Sequence, residues 1–386
     1  MKNLLFINGH LNAGGCERSL VDVLKHIDYD KYHVDLLLLE ELGDYLNEIP
    51  EKVNICLYSL KGTEGSFFGC LKSAVKQRDW FSFGYRLIHT LSSKISPVFL
   101  RLLRPFFRKL SSYYDVVIAY RPGICTELAA YTIKGKRKVS WWHHGEMLYT
   151  GKQAIALKKE YSKMDQIVAV SESSAKMLVS CFPEIADKVC IIPNMICVEE
   201  LKQKTNCYQV ERSENELTLV SVGRMSPEKN FLLCPKIGKE LVKKGIRYKW
   251  YIVGDGVQYE EMKQTIEKYG LSAQIVLTGR LQNPYPYIAF SDFLFHPSLV
   301  ESQGITILES IALGTPVVVV KSDGPKEFIQ NGKNGYLVDL DAEAIATLIY
   351  HLWTDKEQYN VIKNNTNCPE LFFPEHVMDK IYRLME

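Results

Sequence analysis

Two glutamates, Glu301 and Glu309, stand eight residues apart with Gly304 between them. The run 292–297 before them has the pattern of a buried strand, and apolar residues recur after them at helical spacing. We expect Glu301 on the loop that leaves a strand and Glu309 on the following helix, with Gly304 near its first turn. Free N–H groups and the helix dipole would favour a diphosphate there. The alternative is two ordinary acids near a helix start, where acids are favoured in any case.

Two cations occupy a comparable place earlier in the chain. Arg224 lies just past the carboxyl end of a predicted strand, and Lys229 follows five residues later at the entry to a helix. Ligands of open α/β sheets collect beyond the carboxyl ends of the strands. Arginine can bind phosphate oxygens bidentately and lysine as a point charge. Together with the helix start at Gly304, these cations predict a pocket for two phosphates, and a solvated surface loop is the alternative.

The first half of the chain offers a second set of candidates. Gly14 and Gly15 follow a predicted strand and open a helix, so backbone could approach a ligand closely there. Ordinary turn chemistry uses a glycine pair in the same way. His143 and His144 end another predicted strand. Because side chains alternate along a strand, only one of these histidines should face a ligand if the strand persists.

Strand-like and helical patterns alternate along the whole chain, which predicts parallel, doubly wound sheets. The alternation starts afresh near the middle, so we expect two consecutive Rossmann-like α/β domains. A helix is expected from about residue 19 to residue 26. The predicted strands of the first domain are 4–7, 33–39, 53–57, 115–120, 138–142, 166–170 and 189–192. Those of the second are 217–222, 250–253, 274–277, 292–295, 316–320 and 336–338.

The length of 386 residues exceeds what one core comfortably supports, which also favours two domains. We place the domains at 1–195 and 196–375, with a hinge near Pro193 and Asn194 and a polar stretch at 199–216. A C-terminal helix at 376–386 is expected to pack back toward the first domain.

Composition is that of a globular protein, with 46% apolar residues, 24% charged residues and a formal net charge of +2. This balance argues against nucleic-acid binding. The ten cysteines form no C-x-x-C pair or metal-like cluster, which suits a reducing cytoplasm and predicts no metal site. The N-terminus is too short for a signal peptide's apolar region, and no apolar run reaches the roughly 20 residues of a membrane span.

One segment, residues 66–114, breaks the α/β pattern. It carries nine Lys or Arg residues against one acid, Asp79, with aromatic residues interleaved. Such a composition predicts a surface that contacts anionic lipid or a lipid-linked acceptor. An amphipathic helical hairpin with solvated charges is the alternative. Pro97 and Pro105 are expected to break the segment into pieces.

An ordered set of short motifs resembles family 4 of the retaining glycosyltransferases, which have the GT-B fold of two Rossmann-like domains facing a central cleft. The similarity covers the second domain and, more weakly, the first through Gly14-Gly15 and the Trp-His-His run. The motifs are Gly223-Arg224, Glu228-Lys229-Asn230, Val253-Gly-Asp-Gly256, Leu277-Thr-Gly279, Glu301 with Glu309, Gly314-Thr-Pro-Val317 and Asn331-Gly-Lys-Asn-Gly-Tyr-Leu-Val338.

The resemblance implies transfer of a sugar from a nucleotide diphosphate sugar, with retention at the anomeric carbon and no required metal or cofactor. The implied acceptor is a glycan or lipid-linked sugar of a capsule, exopolysaccharide or lipopolysaccharide pathway, at the cytoplasmic membrane face. The first domain would bind the acceptor and the second the donor.

Residue roles follow from the same resemblance. Arg224 and Lys229 would hold the diphosphate, Glu301 the donor sugar and Glu309 the ribose. An active-site histidine is implied at His143 or His144, the register being ambiguous, with Glu146 as a candidate acceptor contact. The predicted catalytic set is Arg224, Lys229, Glu301, His143 and His144. The predicted donor-binding set is Gly14, Gly15, Gly223, Arg224, Lys229, Gly279, Arg280, Glu301, Gly304, Ile305, Thr306 and Glu309.

The sequence departs from the family pattern at three places. Gln303 stands where an aromatic residue is usual, Ser302 where glycine is usual, and Lys326 separates Pro325 from the acid at 327. These changes leave the donor sugar and base open.

Three other functions are less consistent with the sequence. A nucleotide-sugar epimerase of the same fold needs no acceptor groove, so the segment 66–114 argues against it. A non-catalytic glycosyltransferase-like subunit is disfavoured by the complete set of Arg224, Lys229, Glu301 and Glu309. A nicotinamide dehydrogenase is disfavoured because Tyr259 stands where a G-x-G-x-x-G turn needs its third glycine.

Overall fold

The computed structural model describes residues 1–12, 14–40, 43–60, 66–111, 113–210 and 215–386. Residue 13 of the first glycine loop, residue 112 of the basic segment and residues 211–214 of the polar boundary stretch lie outside them. The chain forms two compact units, the first comprising residues 1–192 with 378–386 and the second residues 193–377. The sequence analysis placed the divisions at 195/196 and 375/376. The assignment of acceptor and donor roles to the two parts stays a prediction.

The sheet of the first unit has seven parallel strands in the order β3-β2-β1-β4-β5-β6-β7. They are β1 (Lys2–Asn8), β2 (Tyr32–Leu38), β3 (Val53–Leu57), β4 (Tyr114–Ala119), β5 (Gly135–Trp142), β6 (Gln166–Ala169) and β7 (Val189–Ile191). Its α-helices before residue 193 are α1 (Gly15–His26), α2 (Phe67–Gln77), α3 (Trp80–Lys94), α4 (Ile124–Glu127), α5 (Gly151–Tyr161) and α6 (Glu172–Cys181).

The sheet of the second unit has six parallel strands in the order β10-β9-β8-β11-β12-β13. They are β8 (Leu217–Val222), β9 (Tyr248–Val253), β10 (Ile275–Gly279), β11 (Phe293–His296), β12 (Val317–Val320) and β13 (Gly335–Val338). The helices are α7 (Val198–Thr205), α8 (Leu233–Lys243), α9 (Tyr259–Lys268), α10 (Tyr285–Phe290), α11 (Ile305–Ala312), α12 (Ala342–Thr354), α13 (Lys356–Asn365) and α14 (Pro374–Met385).

Every strand predicted from the sequence is present within a few residues of its expected bounds. The prediction of two doubly wound, parallel Rossmann-like sheets is therefore confirmed. Strands this apolar are buried on both faces, as the fully buried residues of β1 and β12 illustrate. The prediction that the first helix starts near residue 19 is wrong, because α1 begins at Gly15. Its polar first turn, Gly-Cys-Glu-Arg, carries no apolar periodicity that would have revealed the start.

The end of α14 belongs to the first unit. Lys2 donates through Nζ to the carbonyl of Met385 at 3.1 Å, and Tyr382 donates to the carbonyl of His26 at 2.9 Å. The ring of Tyr382 also stacks on Tyr32 with 5.8 Å between centroids. These contacts fix the C-terminus against β1 and β2.

Residues 66–111 form α2, α3 and a 3-10 helical stretch at Pro97–Phe106. Phe81 and Phe107 pack around Tyr58 with ring centroids 5.3 and 4.8 Å from it, which joins this segment to the core of the first unit. Pro97 begins the 3-10 stretch, and Pro105 lies inside it without ending it. Among the described residues, no helix is both long and apolar enough to cross a membrane.

Two glycines allow the loops after β8 and β9 of the second unit to approach each other closely. Gly254 follows β9 with a φ of +151°, and a Cβ there would lie 1.9 Å from the carbonyl oxygen of Gly223. A Cβ on Gly256 would lie 2.4 Å from the carbonyl oxygen of Met225. The loop after β9 therefore lies directly against the backbone of the loop after β8, which carries Arg224.

Substitution of Gly254 by alanine should destabilise the second unit by about 4 kcal/mol or more, because the added carbon forces the two loops apart. Gly245 is the matched control, since it also has a positive φ, +75°, but has no atom near the position of an added Cβ. Gly245→Ala should cost only the backbone strain, about 1–2 kcal/mol. Urea denaturation of the two variants measures the difference, and equal losses would contradict this account of the loop packing.

Candidate functional site

The candidate donor residues of the second unit gather at one edge of its sheet. Strand β8 lies between β9 and β11, so the strand order changes direction there. Loops that leave the carboxyl ends of two such strands run to opposite faces and leave a crevice where ligands bind. The loop after β8 carries Gly223, Arg224 and Lys229, and the loop after β11 carries Glu301 and Gly304.

Arg224 is exposed at this edge, and its guanidinium has no hydrogen bond or ion pair with a described residue. Gly223, before it, donates to the carbonyl of Val253 at 3.0 Å, which holds the end of β8 to β9. Gly279 ends β10 with a φ of +70° and accepts from the N–H of Gly254 at 2.9 Å. Arg280 follows it and is exposed. The carboxyl ends of β8 and β10, which lie on either side of β9, thus each lead to an exposed arginine.

Glu301 is a buried carboxylate that is held by two partners. Its Oε1 accepts hydrogen bonds from Lys229 Nζ at 2.5 Å and from His296 Nε2 at 2.7 Å. The Glu301 side chain is 9% exposed, that of His296 5% and that of Lys229 28%. The charge of Lys229 and the hydrogen bonds from both partners hold the pKa of Glu301 far below its usual range, against the opposing effect of burial. Glu301 is therefore ionised at neutral pH.

The other oxygen of Glu301 is open. Oε2 accepts no hydrogen bond from a described residue, although Oε1 serves two donors. Lys229 likewise donates only one of its three N–H groups to a residue that the structure describes. A sugar hydroxyl could donate to Oε2 while Lys229 binds an anionic oxygen beside it.

The helix after this loop begins at an uncapped glycine. Gly304 has φ +82° and ψ 64°, and no side chain caps the N-terminus of α11. The N–H groups of Ile305 and Thr306 donate to no described residue, because the first helical bonds run from Ile307 and Leu308 to Gly304. These are the free donors at a helix start that an anion can use. The positive φ favours glycine there, and a Cβ would also lie 2.7 Å from Ile307 Cδ1.

Glu309 is the fifth residue of α11 and is buried. Tyr285, on α10, donates to its Oε1 at 2.8 Å. This hydrogen bond helps to orient the carboxylate of Glu309.

Gln303 explains one departure from the family pattern. It is buried, and its Oε1 accepts from the backbone N–H of Asn194 at 2.9 Å and from Asn194 Nδ2 at 2.7 Å. Its own amide donates to the Asn194 carbonyl at 3.3 Å. The amide thus ties the glutamate loop to the first residues of the second unit, which an aromatic ring could not do by hydrogen bonding.

The first unit has a comparable edge. Strand β1 lies between β2 and β4, so the order changes direction there too. Gly14 is extended, with φ −173° and ψ 158°, and caps α1, which begins at Gly15. A Cβ on Gly14 would lie 2.4 Å from Glu17 Oε2. The space that the missing side chain leaves is therefore filled by the carboxylate of Glu17.

Glu17 in turn holds Arg121, the second residue after β4. Arg121 Nη1 donates to Glu17 Oε1 at 2.9 Å and lies 3.2 Å from His10 Nε2. The Glu17 side chain is 6% exposed and that of Arg121 34%. These three residues, His10, Glu17 and Arg121, form a cluster that the sequence analysis did not include.

Both candidate histidines lie beside this cluster. Strand β5 ends at Trp142, so the alternation of a strand does not extend to His143 and His144. Burial lowers the pKa of His143 to about 3, helped by His144 and Arg121, and burial with the charge of Arg121 lowers that of His144 to about 4. Both rings are neutral at pH 7. His143 lies 5.0 Å from the Tyr120 ring and its buried Nε2 has no described partner.

Glu146 is exposed beyond them. The residues that the sequence analysis missed are His10, Glu17, Arg121, His296 and Tyr285. Arg121 and His296 each stand at the carboxyl end of a strand that had been predicted, so the reasoning applied to Arg224 would also have selected them. Glu17 and Tyr285 act through contacts between distant segments and leave no sequence signal.

Two family models match the chain. The model described as Glycosyltransferase Family 4 matches residues 13–200, and that described as Glycosyl transferases group 1 matches residues 203–367. Together they cover every strand of both sheets except β1.

Individual proteins also resemble this chain in sequence or in structure. An uncharacterized glycosyltransferase of Methanocaldococcus jannaschii is 25% identical over 48% of this chain, and the match spans only 47% of that protein. The N-acetylgalactosamine-N,N'-diacetylbacillosaminyl-diphospho-undecaprenol 4-alpha-N-acetylgalactosaminyltransferase of Campylobacter jejuni is 28% identical over 86% of this chain and 85% of its own. The crystal structure of Anabaena HepE with UDP and glucose superposes with a TM-score of 0.73 over 99% of both chains. At 17% identity, this last likeness establishes the fold alone.

Replacement of Glu301 by glutamine should destabilise the protein by roughly 3 kcal/mol at pH 7, because Lys229 and His296 lose the carboxylate they share. The folded-state pKa of Glu301 lies below its unfolded value of about 4.3. Its ionised form therefore contributes stability above about pH 4.3, and this contribution is lost as the pH falls further. The deficit of Glu301→Gln should shrink by about 1–2 kcal/mol between pH 7 and pH 3, as measured by urea denaturation.

Asp339→Asn is the matched control, since Asp339 pairs with Lys321 at 2.7 Å but is 79% exposed. Its effect at pH 7 should stay below about 1 kcal/mol. A pH-independent deficit for Glu301→Gln would show that the carboxylate is not held ionised.

Proposed function

Because the chain belongs to the group 1 and family 4 glycosyltransferases, we propose that it transfers a sugar from a nucleotide diphosphate sugar to a glycan or lipid-linked acceptor. The proposed donor is a UDP-linked hexose or N-acetylhexosamine, and the proposed pathway builds a cell-surface polysaccharide such as a capsule or lipopolysaccharide. Transfer proceeds with retention at the anomeric carbon, at the cytoplasmic membrane face. The UDP in the Anabaena HepE structure and the diphospho-undecaprenol acceptor of the Campylobacter relative support these choices.

One observation carries the proposal. Two loops leave β8 and β11, where the strand order reverses, and they bring the candidate phosphate ligands to one edge. The first loop carries Arg224 and Lys229. The second leads to the free N–H groups of Ile305 and Thr306 at the start of α11. A diphosphate bound there meets two cations and a helix N-terminus. Glu301 Oε2 and the buried Glu309 supply acceptors for the hydroxyls of the donor sugar and the ribose.

The chemistry follows from the same groups. Cleavage of the sugar–phosphate bond leaves negative charge on the diphosphate, and preorganised donors that meet this charge lower the barrier. Lys229 is oriented before the donor arrives, because Glu301 already holds its ammonium group. No carboxylate is assigned as a nucleophile, and retention is explained by attack of the acceptor hydroxyl from the face that the leaving group departs from. His143 and His144, being neutral, can bind acceptor hydroxyls by hydrogen bonds.

Lys229→Ala should lower the transfer rate about 100-fold or more, since a preorganised donor to the leaving group is removed. Glu309→Ala should instead weaken UDP binding about 10- to 100-fold, because two hydroxyl groups lose a charged acceptor. A panel of nucleotide sugars, with release of the nucleoside diphosphate as the readout and calorimetry for UDP affinity, measures both.

Lys243→Ala is the control for charge, because Lys243 is an exposed lysine on α8, with 59% of its side chain accessible. The transfer rate and UDP affinity of this variant should match those of the unsubstituted protein. Full activity of Lys229→Ala with the best donor would overturn the assignment of this loop to the diphosphate.

The proposed contact with an anionic membrane rests on residues 66–111. Ten of the 23 exposed large apolar side chains of the described chain lie between residues 66 and 113. On α2, Phe68 is 81% exposed and Val75 51%, and Trp80 at the start of α3 is 61% exposed. Lys72, Lys76 and Arg78 are exposed beside them and form no ion pair with a described residue. Apolar side chains flanked by unpaired cations match the two needs of an interfacial surface.

Charge reversal at Lys72, Lys76 and Arg78 to glutamate should lower binding to vesicles of one-third phosphatidylglycerol at least tenfold in a flotation assay. The same protein should bind vesicles of pure phosphatidylcholine weakly, and added salt should reduce binding to the anionic vesicles. Reversal at Lys236, Lys239 and Lys243, three exposed lysines of α8, is the matched control. Equal binding by the two triple variants would contradict a specific membrane surface on α2.

A further inference from the structure

We propose that Arg121 forms a phosphate-binding site in the first unit, which selects an acceptor that carries a phosphate or diphosphate ester. The inference rests on the proposed transferase function and deepens it by naming a class of acceptor. It also assigns a role to a cluster, His10, Glu17 and Arg121, that the donor side of the reaction does not use.

The guanidinium of Arg121 is held from one side. Nη1 directs its N–H groups toward Glu17 Oε1 at 2.9 Å and His10 Nε2 at 3.2 Å. Glu17 is itself fixed, because it lies in the first turn of α1 and its Oε2 lies over Gly14. A guanidinium anchored in this way loses little further conformational freedom on binding a ligand.

The other side of Arg121 is unused. Nε and Nη2 donate to no residue that the structure describes, and the side chain keeps 34% of its exposure. These two nitrogens present parallel N–H groups, the geometry that binds two oxygens of one phosphate. An arginine that served only to neutralise Glu17 would not need to leave this fork open at the ligand-binding edge of the sheet.

Two histidines beside Arg121 supply further polar groups at this edge. The charge of Arg121 acts on both His143 and His144, and it lowers the pKa of each beyond the effect of burial. The two imidazoles are neutral and can donate a hydrogen bond without adding charge. The buried Nε2 of His143 has no described partner, so a polar atom near this edge still lacks one.

Position supports the same conclusion. Arg121 follows β4 and His10 follows β1, the two neighbouring strands between which the order of the first sheet reverses. Ligands of doubly wound sheets bind at this reversal. The second sheet has its own reversal with its own cations, so the first site is available for a phosphate that does not belong to the donor.

The test is a calorimetric titration of the full chain with inorganic pyrophosphate in the presence of saturating UDP, which fills the donor diphosphate position. The unsubstituted protein should bind pyrophosphate, and Arg121→Gln should weaken this binding at least tenfold. Arg121→Lys should give an intermediate loss, because a lysine keeps the charge but not the fork. Lys136→Gln is the matched control, since Lys136 is an exposed cation at the opposite end of β5, and it should bind within twofold of the unsubstituted protein.

Three results would overturn the proposal. Equal pyrophosphate affinity in Arg121→Gln and the unsubstituted protein would remove Arg121 from the site. A fall in UDP affinity without any change in pyrophosphate binding would assign the guanidinium to the donor instead. Failure of the unsubstituted protein to bind pyrophosphate would remove the site altogether. If Arg121→Gln does not fold, as judged by its thermal unfolding, Arg121→Lys gives the same comparison.

The titration needs no turnover, so it separates this inference from the proposed function. If no nucleotide sugar is used and UDP does not bind, the titration is repeated in Lys229→Ala, which removes a competing phosphate ligand from the second unit. Binding that still depends on Arg121 would leave the phosphate site standing while the transferase proposal falls. A transferase that is active but binds no pyrophosphate gives the opposite outcome.

Discussion

Lys229 and His296 share a single carboxylate oxygen of Glu301, and the candidate donor site depends on this arrangement. The carboxylate is almost fully buried, so it would be costly without both donors. Because both donors converge on Oε1, the second oxygen and two N–H groups of Lys229 remain for a ligand. The interaction therefore stabilises the loop after β11 and orients the groups that a phosphorylated sugar would meet.

Both sheets place these charges through the same topological feature. In each, the first strand of the unit lies between the second and the fourth, so helices that follow the first and fourth strands cover opposite faces. The loops that leave these strands then gather polar groups at the carboxyl edge of the sheet. In the second unit this edge holds Arg224, Lys229 and Glu301. In the first unit this edge holds His10, Arg121 and His143. In both units, the residues at this edge come from segments that are far apart in the sequence.

The fold could be predicted because strand length, apolar runs and alternation with helices are local properties. All thirteen strands were found. The start of α1 was misplaced, since its first turn, which contains Gly15 and Glu17, has no apolar periodicity. The second unit's candidates were found because Glu301 and Glu309 form a spaced pair within one short segment. His296 contacts Glu301 from five residues away, but the bond depends on the turn between them. Glu17 and Arg121 are 104 residues apart, and only the pairing of β1 with β4 brings them together.

Gln303 shows how a departure from a family pattern can be structural. It stands between Glu301 and Gly304, so any movement of its side chain would shift the carboxylate and the helix start together. Three hydrogen bonds to Asn194 hold it, two accepted and one donated. An aromatic ring would bury more apolar area but leave the N–H and amide of Asn194 unpaired in the interior, where an unsatisfied polar group costs about 1–3 kcal/mol. Gln303 and Asn194 are therefore structurally coupled. Position 303 should tolerate an aromatic residue only when Asn194 is replaced as well.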